Sequence, residues 1–132
     1  MGTLARGVST ITLFVEGLGT CRDFYRDVLE LPLVFEDPES AVFKVGDLLV
    51  NLLDAAASRD LIEPARTADP SSGNRFVLTA PVTNIDRVCL ELGARGVDLL
   101  NGPMDRPWGV RTASFTDPAG HIWELAQELT GS

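Results

Sequence analysis

A chain of 132 residues with one histidine, two cysteines and no apolar run near the ~20 residues of a membrane-spanning helix leaves several chemistries without their usual side chains. No membrane span is expected. The opening MGTLARGVSTITLFVEG carries one arginine and a short alternating stretch, without the apolar core and small-residue cleavage site of a secretory signal. The location expected by default is therefore cytoplasmic. Cys21 and Cys89 fall in separate helical patterns with no CxxC pair, so two reduced, half-buried thiols are expected rather than a disulfide framework. No histidine accompanies either cysteine, no G-x-S-x-G elbow is present, and Ser114 has no evident base beyond Glu124, which leaves nucleophilic catalysis without its parts. Glycine loops of the phosphate- or dinucleotide-binding type are missing too. Basic residues are scarce, 11 against 19 acidic, and the net charge of -8 repels a nucleic-acid backbone. A neutral or cationic small molecule is easier to accommodate.

What is present is a pattern that occurs twice. Residues 8–15, VSTITLFV, alternate with Ile11, Leu13 and Val15 on one side and Thr10, Thr12 and Phe14 on the other, the period of a strand. In LGTCRDFYRDVLEL, Leu18, Cys21, Tyr25, Val28 and Leu29 recur at helical spacing, with Thr20 as the expected N-cap and Pro32 as the stop. LVFE, AVFKV and LLVNLLD read as three strands separated by DPES and Gly46-Asp47. After a connector rich in Ala, Ser, Pro, Asp and Gly, with one helical turn expected around ASRDLIEPA, the order recurs. RFVLTAPV reads as strand, NIDRVCLELGARG as helix, VDLL as strand, and GVRTASFTD with HIWELAQ as a hairpin. Gly17 corresponds to Asn84 before each helix, and Asn51 to Glu124 in each last strand. The predicted fold is α+β, one folded body of two tandem βαβββ modules, residues 8–54 and 75–128, joined by a connector at 55–74.

A sheet with one helix on its back leaves its front free, and two such curved fronts are expected to face a common cleft. Alternation places Trp123 and Leu125 under the helix and Ile122, Glu124 and Ala126 on the cleft side. It assigns Leu49, Asn51 and Leu53, and Val77 and Thr79, to the same side. A few polar groups in an apolar lining are what a small-molecule site needs.

Four phrases, TLFVEGLGTCRDFYRDVLELPL, VTNIDRVCLELGARGV, RPWGVRTASF and TDPAGHIWEL, together resemble the vicinal oxygen chelate superfamily of glyoxalase I, extradiol dioxygenases, fosfomycin-resistance enzymes and bleomycin-resistance proteins. The resemblance covers nearly the whole chain. It departs at Glu30, where the family usually has glycine. Enzymes of the superfamily place four metal-facing residues, usually His, Glu or Gln, on the first and last strand of each module. The corresponding positions here are Thr10, Asn51, Val77 and Glu124, of which only Glu124 is a customary ligand. The resemblance is therefore to the metal-lacking, resistance-type branch, and neither metal nor other cofactor is expected. Family members commonly form two-fold dimers, which implies a homodimer.

The first expectation is a small-molecule-binding protein that sequesters a planar or cationic natural product or antibiotic among Thr10, Thr12, Asn51, Thr79, Trp108, Ser114 and Glu124. Trp108 offers a ring for stacking, against the alternative of a rim or dimer contact. Glu124 offers either a partner for a cationic ligand or an acid or base, against the alternative of a relic bonded to Thr10 or Asn51. An alternative function is a metal-free lyase, isomerase or cyclase using Glu124; a divalent-metal enzyme ranks last. Arg106 and Arg111 flank the Trp108 loop and suit a carboxylate, though solvated surface is the plainer expectation. Phe35 and Phe43 are assigned to core packing, and His121 to a turn.

Overall fold

The computed structural model describes residues 2–130. The chain divides into two compact units, with the boundary between Ser71 and Ser72. The first contains β1 (Thr10–Val15), α1 (Leu18–Asp23), β2 (Leu33–Asp37), β3 (Ser40–Val45) and β4 (Leu48–Asp54). Its sheet runs in the order β1-β4-β3-β2, with β4 parallel to β1 and antiparallel to β3. The greasy sides of β1, β3 and β4 turn toward α1, and Leu13, Val15, Phe43, Val50 and Leu52 are buried together with Cys21 and Tyr25. The Tyr25 ring stacks obliquely on Phe43, 5.6 Å between centroids, and meets the edge of Phe24 at 5.8 Å.

Three local expectations change in this unit. Thr20 does not cap α1: Gly17, at φ 70°, turns the chain directly into the helix, and its carbonyl accepts from the Cys21 N–H at 3.1 Å. Phe35 is not core. A bulge between Leu33 and Phe35 reverses the phase of β2, so that Leu33 pairs with Phe43 on the helix side while Phe35 pairs with Val42 and stays 55% exposed. The helix widens into a π turn over Phe24–Val28 and ends in a Schellman-type closure, where the Leu31 N–H donates to the Tyr25 carbonyl. That closure forces Glu30 to φ 55°, the left-handed conformation that glycine holds without cost.

The connector folds into a 3₁₀ turn at Ala55–Ala57, the short helix α2 (Arg59–Ile62) and a second 3₁₀ turn at Pro70–Ser72. The second unit repeats the first with β5 (Leu78–Pro81), α3 (Ile85–Ala94), β6 (Asn101–Asp105), β7 (Val110–Thr116) and β8 (Ile122–Glu128), ordered β5-β8-β7-β6. Asn84 caps α3, its Oδ1 accepting from the Arg87 N–H, and Gln127 Oε1 accepts from the Ile85 N–H at 2.8 Å. Ile85, Cys89 and Leu92 are buried with Ala113, Phe115, Trp123 and Leu125.

Two strands differ from their sequence assignments. β5 is shorter than RFVLTAPV, and β6 is not VDLL but the following Asn101–Asp105. Gly102 and Pro103 stand inside β6 because it is an edge strand, where proline's missing N–H faces no partner. Only glycine fits at 102: φ is 82°, and a Cβ would lie 2.3 Å from the Thr112 carbonyl oxygen. Among the described residues no helix is long and apolar enough to cross a membrane.

The strain at Glu30 yields a stability test. Glu30→Gly should stabilise the protein by about 1 kcal/mol, raising Tm by roughly 3–5 °C. An unchanged or lower Tm in calorimetry would show that Glu30 carries its conformation without strain.

Candidate functional site

The central strand of each sheet carries a polar side chain at its middle position on the face away from the helix. In the second unit it is Glu124, which lies in register with Thr79 on β5 and Ser114 on β7. Thr79 Oγ1 donates to Glu124 Oε1 at 3.0 Å. The half-buried carboxylate is thus flanked by two hydroxyl side chains, and Oε2 has no protein partner among the described residues. In the first unit the equivalent residue is Asn51, in register with Thr12 on β1 and Val42 on β3. Asn51 Nδ2 donates to Thr12 Oγ1 at 3.4 Å, while Asn51 Oδ1 is buried without a hydrogen-bond partner. The alternating pattern places Leu49 and Leu53 beside Asn51, and Ile122 and Ala126 beside Glu124.

The structure therefore brings together Thr12 with Asn51, and Thr79 and Ser114 with Glu124. Within its own unit Glu124 is bonded to Thr79, because the parallel β5–β8 ladder puts these two side by side. Thr10 lies two residues before Thr12, exposed, with its hydroxyl 3.3 Å from that of Ser9. Val77 precedes β5 and is 48% exposed. Trp108 occupies the β6–β7 turn, 68% exposed. That turn opens beyond the Val110–Glu128 pair, which is four residues along β8 from Glu124, or about 14 Å. Within this unit Trp108 and Glu124 are not neighbours.

The turn that delivers β8 is organised by Asp117, which is 3% exposed. Its Oδ1 accepts from the Ala119 and His121 N–H groups, both at 2.9 Å, and its own N–H donates to the His121 carbonyl. His121 belongs to this turn, with its ring 6.1 Å from that of Phe76. Neither arginine is simply solvated. Arg111 binds Asp86 of α3 and Asp105 of β6, each at 3.0 Å, and these hydrogen bonds and charges raise its pKa. Arg106 Nε donates to Thr112 Oγ1 at 2.8 Å, and its guanidinium carbon stands 5.7 Å from the Trp108 ring centre. Burial pushes the Cys89 thiol pKa up, as expected of a buried thiol without a catalytic partner. A cavity of about 660 Å³ lies in the connector against Ser58, Arg59, Glu63 and Thr67, and neither Asn51 nor Glu124 nor their hydroxyl neighbours line it. Its buried clamp, a hydrogen bond between the Ser58 and Thr67 hydroxyls, has no periodic signature and was not readable in advance.

The donor set does not fit a divalent transition metal. Thr10, Asn51, Val77 and Glu124 supply one hydroxyl, one amide, one hydrocarbon and one carboxylate, where such ions take several imidazole, thiolate or carboxylate ligands. Among the described residues no three His, Cys, Asp or Glu side chains are grouped to hold an ion.

The buried, partnerless Asn51 Oδ1 costs stability. Replacing it by a side chain of similar size without polar atoms, Asn51→Leu, should stabilise the ligand-free protein by about 1 kcal/mol. Urea unfolding should show a higher midpoint with an unchanged m-value; a lower midpoint would mean that the amide already has a partner.

Comparison with known proteins agrees with this architecture. The family model for the Glyoxalase/Bleomycin resistance protein/Dioxygenase superfamily matches residues 7–125. The chain is 28% identical over 123 residues to the protein YraH of Bacillus subtilis (strain 168), covering 90% of this chain and 96% of YraH. Among solved structures, a glyoxalase/bleomycin resistance protein/dioxygenase from Nocardioides is 28% identical with a TM-score of 0.82, covering 95% of this chain and 85% of that one. TnmS3, an antibiotic binding protein from Streptomyces sp. CB03234, shares the fold with a TM-score of 0.71 at 24% identity, covering 92% and 94% of the two chains.

Proposed function

The chain belongs to the Glyoxalase/Bleomycin resistance protein/Dioxygenase superfamily, and from that premise we propose that it is a small-molecule-binding protein that sequesters a planar or cationic natural product or antibiotic without metal. The observation that carries this reading is unused hydrogen-bonding capacity where the superfamily's enzymes keep metal ligands. Asn51 Oδ1 is buried without a partner, and Glu124 Oε2 is uncommitted beside Thr79 and Ser114. Such groups set in apolar surroundings orient a ligand, while its flat body supplies the buried area. Thr10, Thr12, Asn51, Thr79, Ser114 and Glu124 form the proposed ligand-binding set, with Trp108 stacking on the planar part. TnmS3, which has the same fold, is an antibiotic binding protein, which supports the ligand class. The proposed setting is a cytoplasmic homodimer that confers resistance by holding the compound.

The free Glu124 oxygen also favours a second reading, a metal-free lyase, isomerase or cyclase in which Glu124 takes or gives a proton. Binding and turnover separate the two. In a thermal-shift screen of planar and cationic antibiotics, a compound present at 100 times its Kd stabilises the folded protein by about 2.7 kcal/mol, a Tm rise of several degrees. Sequestration predicts that the compound is recovered unchanged and that Glu124→Gln lowers the affinity for a cationic one by about tenfold or more. Chemical conversion lost in Glu124→Gln would establish the second reading. Absence of any shift across such a panel would overturn the first.

A further inference from the structure

The guanidinium of Arg106 is fixed in place with no carboxylate partner among the described residues. Arg22, Arg26, Arg87 and Arg111 each pair with Asp or Glu, as expected in a chain with 19 acidic residues against 11 basic ones. Arg106 instead donates from Nε to the hydroxyl of Thr112, which is 1% exposed. Its guanidinium also lies against the Trp108 ring. Its terminal nitrogens have no protein acceptor among the described residues.

Strand register shows where this group stands. Thr112 pairs with Ala126 and Ser114 pairs with Glu124, so Thr112, Ser114, Ala126 and Glu124 share the face turned away from α3. The two rows are two residues apart, or about 7 Å. One face of one sheet therefore holds a half-buried carboxylate with a free oxygen and, one row along, an anchored guanidinium with free donors. Because Thr112 and Trp108 hold the arginine, little further side-chain freedom is lost when an oxyanion binds its planar fork.

We infer that Arg106 is an anion-binding residue of the ligand face, and that the ligand is a planar molecule with a carboxylate or other oxyanion at the end opposite a cationic or hydrogen-bond-donating group. This inference rests on the binding reading and narrows it: Glu124 receives the donor end, Arg106 the anionic end, and Trp108 the edge of the ring system next to the anion. A purely cationic ligand would leave Arg106 unused.

The test is an amide NMR titration with three probes: 4-(aminomethyl)benzoate, benzoate and benzylamine. The expected ranking puts 4-(aminomethyl)benzoate tightest, with shifts at Thr79, Thr112, Ser114 and Glu124. Arg106→Gln should raise Kd for 4-(aminomethyl)benzoate and benzoate by about tenfold or more and leave benzylamine unchanged. Glu124→Gln should do the reverse for benzoate and benzylamine. Arg106→Lys keeps the charge but loses the fork and the Thr112 bond, and should fall between wild type and Arg106→Gln; the same spectra report whether each variant is folded. Equal affinity of wild type and folded Arg106→Gln for benzoate, with benzylamine still dependent on Glu124, overturns the anion site and leaves the ligand face standing. No shift at Thr79, Ser114 or Glu124 with any probe overturns both.

Discussion

The parallel pairing of first and last strand in each module is the constraint on which the rest depends. It makes β4 and β8 the central strands, hydrogen-bonded on both sides, and sets Asn51 beside Thr12 and Glu124 beside Thr79. With side chains alternating across the sheet, the same register sends Val50 and Leu52, and Trp123 and Leu125, under the helices. A slip of one residue would exchange the core set for the polar set. Core and candidate site are thus two faces of one register and cannot be changed independently.

The devices that hold this register are local. Asp117 ties the β7–β8 turn through its carboxylate and its backbone, Gly102 lets β6 approach the Thr112 carbonyl, and Arg111 joins α3 to β6. In the first module the π turn and the left-handed Glu30 close the helix over the Tyr25–Phe43 stack. Where the superfamily usually keeps glycine, this chain accepts strain at a position remote from the polar face.

Much of this was legible in the amino-acid sequence because alternation is strong in β1, β4, β7 and β8. Leu13, Val15, Trp123 and Leu125 are buried as their positions implied, and Asn84 precedes α3 as its repeat partner Gly17 precedes α1. Misreadings cluster on β2 and β6, edge strands with irregular pairing. The bulge at Val34 turns Phe35 outward, and β6 lies beyond the apolar run VDLL, in Asn101–Asp105, with Gly102 and Pro103 in the irregular stretch between its paired residues. The hydroxyl partner of Glu124 was missed because parallel register is a long-range property: Thr79 and Glu124 are 45 positions apart. Arg106 was equally hidden, since only the fold shows that its guanidinium is anchored to a buried threonine rather than solvated.

Chemically, the four positions that correspond to the superfamily's metal ligands hold a hydroxyl, an amide, a hydrocarbon and a single carboxylate. Such groups hold organic ligands by hydrogen bonds and hold transition metals poorly. The most direct test is a calorimetric titration of chelator-treated protein with Ni²⁺, Zn²⁺ and Mn²⁺. Heats no different from dilution are predicted for all three; one-to-one uptake of any of them, abolished by Glu124→Gln, would contradict the account at its centre.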